Sequence, residues 1–132
     1  MSELQDTDLL RIAARASGAG RLDGADVTAK VRNPFCGDRL TLDLKFSEGR
    51  VTQVGYEIRA CLVCQASTGL VAEQVVGKSR DDLAALGAEV EAFLKGEAER
   101  APAGFDVFGP VKPHLNRHVC VMMPFKGVAD AE

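Results

Sequence analysis

"RLTLDLKFSEGRVTQVGYEI", residues 39–58, decides the fold. In its first half Leu40, Leu42, Leu44 and Phe46 alternate with Thr41, Asp43 and Lys45; in its second half Val54, Tyr56 and Ile58 fall in phase. Alternation with a period of two gives each strand one apolar and one polar face. "SEGR" (47–50) between them is short enough for a hairpin turn. The register that keeps both apolar sets on one face sets Leu44, Leu42 and Leu40 opposite Val54, Tyr56 and Ile58. "DVTAKVR" (26–32) supplies a third strand, with Val27, Ala29 and Val31 in phase. Strands of this kind predict an antiparallel sheet covered on one side only.

On both sides of this stretch the period becomes helical. Residues 6–17 predict an amphipathic helix, with Asp6 or Thr7 as cap, an apolar side of Leu9, Leu10, Ile12, Ala13 and Ala16, and Gly18 as its end. "GAGRLDGAD" (18–26) is a turn-rich connector. From residue 62, Leu62, Val63, Ala66, Leu70 and Val71 recur at helical spacing, and Gly77 is the natural stop. Ser79 then caps a further helix with Asp82 at its third position, a stripe of Leu83, Leu86, Val90, Phe93 and Leu94, and Gly96 at its end. Residues 97–113, with three prolines and little periodicity, read as a loop. A last helix fits residues 115–129, with Pro124 in its first turn or at a kink. The expected fold is α+β: a three-stranded antiparallel sheet with helices packed on one face, in a single domain over 1–132.

The chain has 132 residues, 46% of them hydrophobic, enough for one core. A net charge of −3 without any concentration of Lys and Arg argues against a nucleic-acid partner. The apolar run Val119–Phe125 is too short to cross a bilayer. "MSELQDTDLLRIAARAS" lacks the basic-then-apolar pattern of a signal peptide. The expectation is a cytoplasmic protein with no membrane partner. In a reducing compartment its four cysteines, Cys36, Cys61, Cys64 and Cys120, point to metal or thiol chemistry rather than disulfides.

In "NPFCGD" (33–38), Cys36 and Asp38 share one face of an extended chain. Extending the hairpin register places Gly37 opposite Cys61, so Cys36 and Asp38 flank that thiol. Cys61 falls where strand gives way to helix, and a helix N-terminus favours the thiolate. Cys64, one turn further on, faces roughly the same way. Cys120 in "HLNRHVC" (114–120) is the fourth candidate, expected at the edge of the long loop, where it meets the last helix. His114 and His118 are in reserve. The residues by themselves leave three readings open: a metal site on Cys36, Asp38, Cys61 and Cys120, a dithiol redox pair of Cys61 and Cys64, or four buried structural cysteines. Lys112, Arg117 and Lys126 read as solvated surface, and Met122 and Met123 as packing. His118 is divided between a ligand or relay role and none.

"NPFCGD", "RACLVCQAS", "VVGKS" and the cysteine closing "HLNRHVC" together resemble the U-type iron–sulfur cluster assembly scaffold family (IscU/SufU/NifU N-terminal domain) over about residues 6–130. The resemblance implies a SufE/NifU-like fold, and it makes Cys36, Asp38, Cys61 and Cys120 the ligands of zinc or of a [2Fe–2S] cluster. It implies a scaffold and sulfur acceptor rather than a true enzyme, with a cysteine desulfurase and apo iron–sulfur proteins as partners. Val119 stands where IscU proteins have a His, and the stretch from Gly77 to Cys120 is long. Arg117, three residues before the last cysteine, matches the SufU-like branch, which binds zinc and accepts persulfide sulfur. Cys64 stands where the family has a small residue, and no "LPPVK"-like chaperone motif precedes Cys120.

Overall fold

The computed structural model describes residues 7–15, 19–33 and 37–130. Strands β1 (Val27–Arg32), β2 (Arg39–Ser47) and β3 (Arg50–Arg59) form an antiparallel sheet in the order β1-β2-β3. The β2–β3 register is the one the apolar alternation demands, with Leu40 opposite Ile58, Leu42 opposite Tyr56 and Leu44 opposite Val54. It slips by one residue between Lys45 and Phe46, which brings Val51 opposite Phe46. The hairpin closes on Glu48 and Gly49, with φ of 54° and 79°. Positive φ at both central residues makes a turn whose twist matches that of the strands.

Helices α1 (Thr7–Arg15), α2 (Leu62–Val75), α3 (Arg80–Leu94) and α4 (Leu115–Asp130) are joined by a 3-10 helix, Phe105–Val111. The inner face of the sheet buries Ala29, Val31, Leu40, Leu42, Leu44 and Tyr56. On it α4 lies against β1 and β2, close enough that a Cβ on Gly127 would stand 3.2 Å from Val31 and 3.4 Å from Leu42. α2 is enclosed by α1, α4 and β3, so it is apolar or small on nearly every side, from Val63 to Val75. α3 opens with the expected capping box, in which Ser79 accepts from the Asp82 amide and Asp82 from the Ser79 amide. Gly77 (φ 90°) turns the chain between α2 and α3. No helix among the described residues is long and apolar enough to cross a membrane.

Several details differ from the sequence reading. Residues 105–111 are helical rather than loop: Phe105, Phe108 and Val111 are spaced by three, so one face of a 3-10 helix buries all of them. Of the two places allowed for Pro124, the structure takes the one inside α4, where it removes the amide that would pair with the Cys120 carbonyl. Leu10 is 52% exposed, leaving Leu9 and Ile12 as the buried contacts of α1. Asp6, Ala16 and Gly18 lie outside the described residues. Asp43, on the strand face expected to be solvated, is fully buried, because the connector folds over that end of the outer face. There the carboxylate accepts bonds from Arg21 Nε (2.6 Å), the Leu22 amide (3.1 Å) and Thr28 Oγ1 (2.6 Å).

Candidate metal centre

Three elements converge at one end of the sheet. After β1, the Asn33 amide donates to the Asp38 carbonyl (2.9 Å) and the Gly37 amide to the Asn33 carbonyl (3.0 Å), with Gly37 at φ 75°. This turn carries Asp38 into a buried position beside β3. Cys61 is the N-cap of α2, with extended φ and ψ and no capping bond from its side chain. The Gln65 side chain holds the junction by donating to the Ala60 carbonyl (2.8 Å). Cys120 comes from the second turn of α4, where Ser67 of α2 donates to the neighbouring Val121 carbonyl.

One carboxylate oxygen of Asp38 and the sulfurs of Cys61 and Cys120 lie within 4.8 Å of one another. Cys120 Sγ is 3.7 Å from Asp38 Oδ2 and accepts a bond from Asn33 Nδ2 at 3.5 Å. The Cys61 thiol is lowered to about 6, chiefly by a hydrogen bond from Cys120 and also by the Cys64 amide, against burial and Asp38. Cys120 is pushed up by its bond to Cys61, by burial and by the charges of Cys61 and Asp38, with Arg117 opposing. The pair therefore shares a proton held on Cys120. Arg117 faces both sulfurs; burial lowers its pKa, but the two thiols outweigh this and raise it. Two thiols and a carboxylate packed this closely cannot all ionise unless a cation joins them. The donor set fits that need, since thiolate and carboxylate oxygen are both ligands of zinc, and thiolates hold iron–sulfur clusters.

The sequence-predicted residues sort as follows. Asp38, Cys61 and Cys120 meet, while Cys36 lies outside the described residues. Cys120 is within a helix and 1% exposed, not at the edge of a loop, because the last helix begins at Leu115. Cys64 turns away from Cys61 into the core, where its sulfur contacts Met123 Sδ at 3.6 Å. His118 spends Nε2 on the Lys112 carbonyl (2.9 Å) and is no part of the cluster. Arg117, read as solvated surface from its charge, belongs to the site. Lys112 is half-buried, its Nζ 4.7 Å from the centre of the Phe93 ring. Met123 is buried and Met122 partly so, as expected of packing residues. Asn33, bonded to Cys120, also lines the cluster, and its place in "NPFCGD" is its only signal in the sequence.

An antiparallel three-stranded sheet with helices on one face, and a thiol–carboxylate cluster where β2, α2 and α4 meet, defines a class of small α+β proteins. The chain belongs to the NifU-like N terminal domain family, whose profile matches residues 10–104. Among curated relatives, "Iron-sulfur cluster assembly scaffold protein IscU" of Thermotoga maritima is 30% identical over 114 residues, 85% of this chain and 80% of that one. The protein of the same name from Streptococcus pyogenes is 29% identical over 82 residues, 62% of this chain and 51% of its own length. Among solved structures, the N-terminal NifU-like protein from Brucella abortus superposes with a TM-score of 0.88 at 31% identity, over 98% of this chain and 92% of that one. The SufU scaffold candidate of Fervidobacterium islandicum shares the fold, with a TM-score of 0.80 at 24% identity over 97% and 96% of the two chains.

Proposed function

We propose that this chain, acting as a single domain, is an iron–sulfur cluster assembly scaffold. It takes sulfur from a cysteine desulfurase, assembles a [2Fe–2S] cluster on Cys36, Asp38, Cys61 and Cys120, and passes the cluster to apo iron–sulfur proteins. The observation that carries this reading is the convergence of Asp38, Cys61 and Cys120 donor atoms within 4.8 Å, from three elements far apart in sequence. Cluster irons are normally held by thiolates, and the single carboxylate is the ligand that lets the cargo leave. The test is metal and sulfide analysis of anaerobically purified protein, before and after incubation with iron, cysteine and a desulfurase. Matched iron and sulfide with a visible absorption spectrum is the expected result; stoichiometric zinc that resists replacement would overturn it.

A second reading, favoured by Arg117 beside Cys120, is a zinc-dependent sulfur carrier of the SufU type. Zinc bound to these residues would hold their thiols as thiolates. In this reading the Cys120 thiolate attacks the outer sulfur of the donor's persulfide, the donor's S–S bond breaks, and the donor departs as a thiolate. Cys120 is buried, so the second turn of α4 must move; Pro124 leaves that turn without its usual closing amide. Mass mapping after incubation with desulfurase and cysteine should find one added sulfur on Cys120. A persulfide found only on another cysteine rejects the assignment.

A further inference from the structure

The outer face of the sheet ends, beside the candidate metal centre, in three arginines in register. Arg32 pairs with Arg39 and Arg39 with Arg59 across the three strands. All three are exposed, because their neighbours Val31, Leu40 and Ile58 turn toward the helices. Adjacent strands lie about 4.8 Å apart, so the three side chains leave the sheet within about 10 Å of one another. Like charges directly opposed on neighbouring strands cost stability. Among the described residues none of the three makes an ion pair or side-chain hydrogen bond that would offset this cost. The opposite end of the same face is covered: Arg21 bonds to Asp43, and Leu22 sits over Gly55. The connector stops short of the arginine row. Each arginine also adjoins the site in sequence, Arg32 before Asn33, Arg39 after Asp38, and Arg59 two residues before Cys61.

We propose that this row docks an acidic segment of a partner protein, whose carboxylates pair with Arg32, Arg39 and Arg59 and bring the partner's reacting groups beside Asp38 and Cys61. Charge complementarity calls for an anionic partner, and a protein supplies that charge as carboxylates. A guanidinium fork matches a carboxylate with two parallel bonds, and a short acidic segment spans three such forks. A long polyanion is disfavoured, because the next row offers Lys30 but also Glu57, and beyond it the protein carries a net charge of −3. The proposal rests on the scaffold reading for its purpose, but binding at the row needs no metal. A chain that docks acidic segments yet assembles no cluster would fail the scaffold reading and leave this one standing.

The test is a titration of the full-length isotope-labelled chain with a capped hexaglutamate peptide at low salt, followed by backbone amide shifts. Inorganic phosphate and oligothymidylate form the comparison arms. Shifts should gather at residues 30–32, 39–41 and 57–59 and fade toward about 0.15 M salt, where charges are screened beyond about 8 Å. Replacing the row by R32Q, R39Q and R59Q together should weaken binding about tenfold. Absence of binding, shifts scattered over other basic residues, or equal binding of phosphate or oligothymidylate at the row overturns the proposal. A second measurement does not depend on the peptide. Arg39→Gln removes the central charge and should raise the Tm by about 2 °C; a fall would mean that the row holds the sheet together rather than waiting for a partner.

Discussion

Asp38 differs from the other clustered donors in offering oxygen where Cys61 and Cys120 offer sulfur. If it is the weak link that releases cargo, Asp38→Ala should lengthen the lifetime of a reconstituted cluster several-fold, followed as decay of visible absorbance in the presence of a chelator. Equal decay in variant and wild type rejects that role. Cys61 carries a separate expectation for metal-free protein. With its thiol lowered to about 6, alkylation by iodoacetamide should rise through a midpoint near that pH, not near the ordinary 9.0. The Cys120 hydrogen bond is the first cause, so Cys120→Ala should move the midpoint upward; peptide mapping of the alkylated site checks it. Residue identity and spacing made Asp38, Cys61 and Cys120 candidates without deciding among the three readings, and the fold brings their donor atoms together. Identity and spacing could not assign Arg117, because an arginine in solvent and one turned toward two sulfurs look alike in sequence. The same blindness applies to Cys64, whose direction on α2 is set by where Met123 of α4 packs.

Among the elements, the connector over the outer face is what the sequence reading lacked. Alternation marks Asp43 as outward, and nothing in a turn-rich stretch says that it folds back over the sheet. Arg21 and Thr28 draw the Asp43 carboxyl below its ordinary value of 3.8, overcoming the burial that pushes the other way. A carboxylate depressed in the folded state contributes stability above the unfolded pKa and loses it as pH falls through the folded value. Asp43→Asn should therefore cost about 2–3 kcal/mol near neutrality, with the gap to wild type closing below about pH 4. Urea unfolding at a series of pH values measures it; a gap independent of pH would remove the charge from the account. Gly55 lies opposite Asp43 in the sheet, and a Cβ there would clash with the Gly20 carbonyl oxygen. Gly55→Ala must displace the connector, at a cost of about 2 kcal/mol by thermal or urea unfolding, while metal content stays unchanged. Loss of metal in this variant would mean that the connector also supports the site. The 3-10 helix is hard to read from sequence for another reason: the spacing of Phe105, Phe108 and Val111 is a period of three, which matches neither the helix nor the strand repeat.

For the whole molecule, the sheet register was legible because a slip of one residue would turn Leu40, Leu42 and Leu44 outward, while the short "SEGR" connection opposes a slip of two. That register alone brings Asp38 to Cys61. The arrival of Cys120 depends on α4 crossing the sheet, a packing event that Gly127 permits by its lack of a side chain and that no local pattern announces. The core on the inner face is complete without the site, since Leu40, Leu42, Leu44, Val71, Val90 and Phe105 are buried among apolar neighbours. Metal should accordingly stabilise the fold without being required for it. A ligand at about a thousand times its Kd adds about 4 kcal/mol, roughly 15 °C in Tm for a domain of this size. Chelation should lower the Tm by about that amount and leave the far-UV circular dichroism at 25 °C unchanged. Cys120→Ala should abolish most of the metal-dependent shift, because it disconnects α4 from the hairpin and α2 while sparing their other contacts. Unfolding on chelation at 25 °C would instead make the metal a structural part of the fold, as in a zinc-stabilised interaction module, and would leave a scaffold that must release its cargo without a stable empty state.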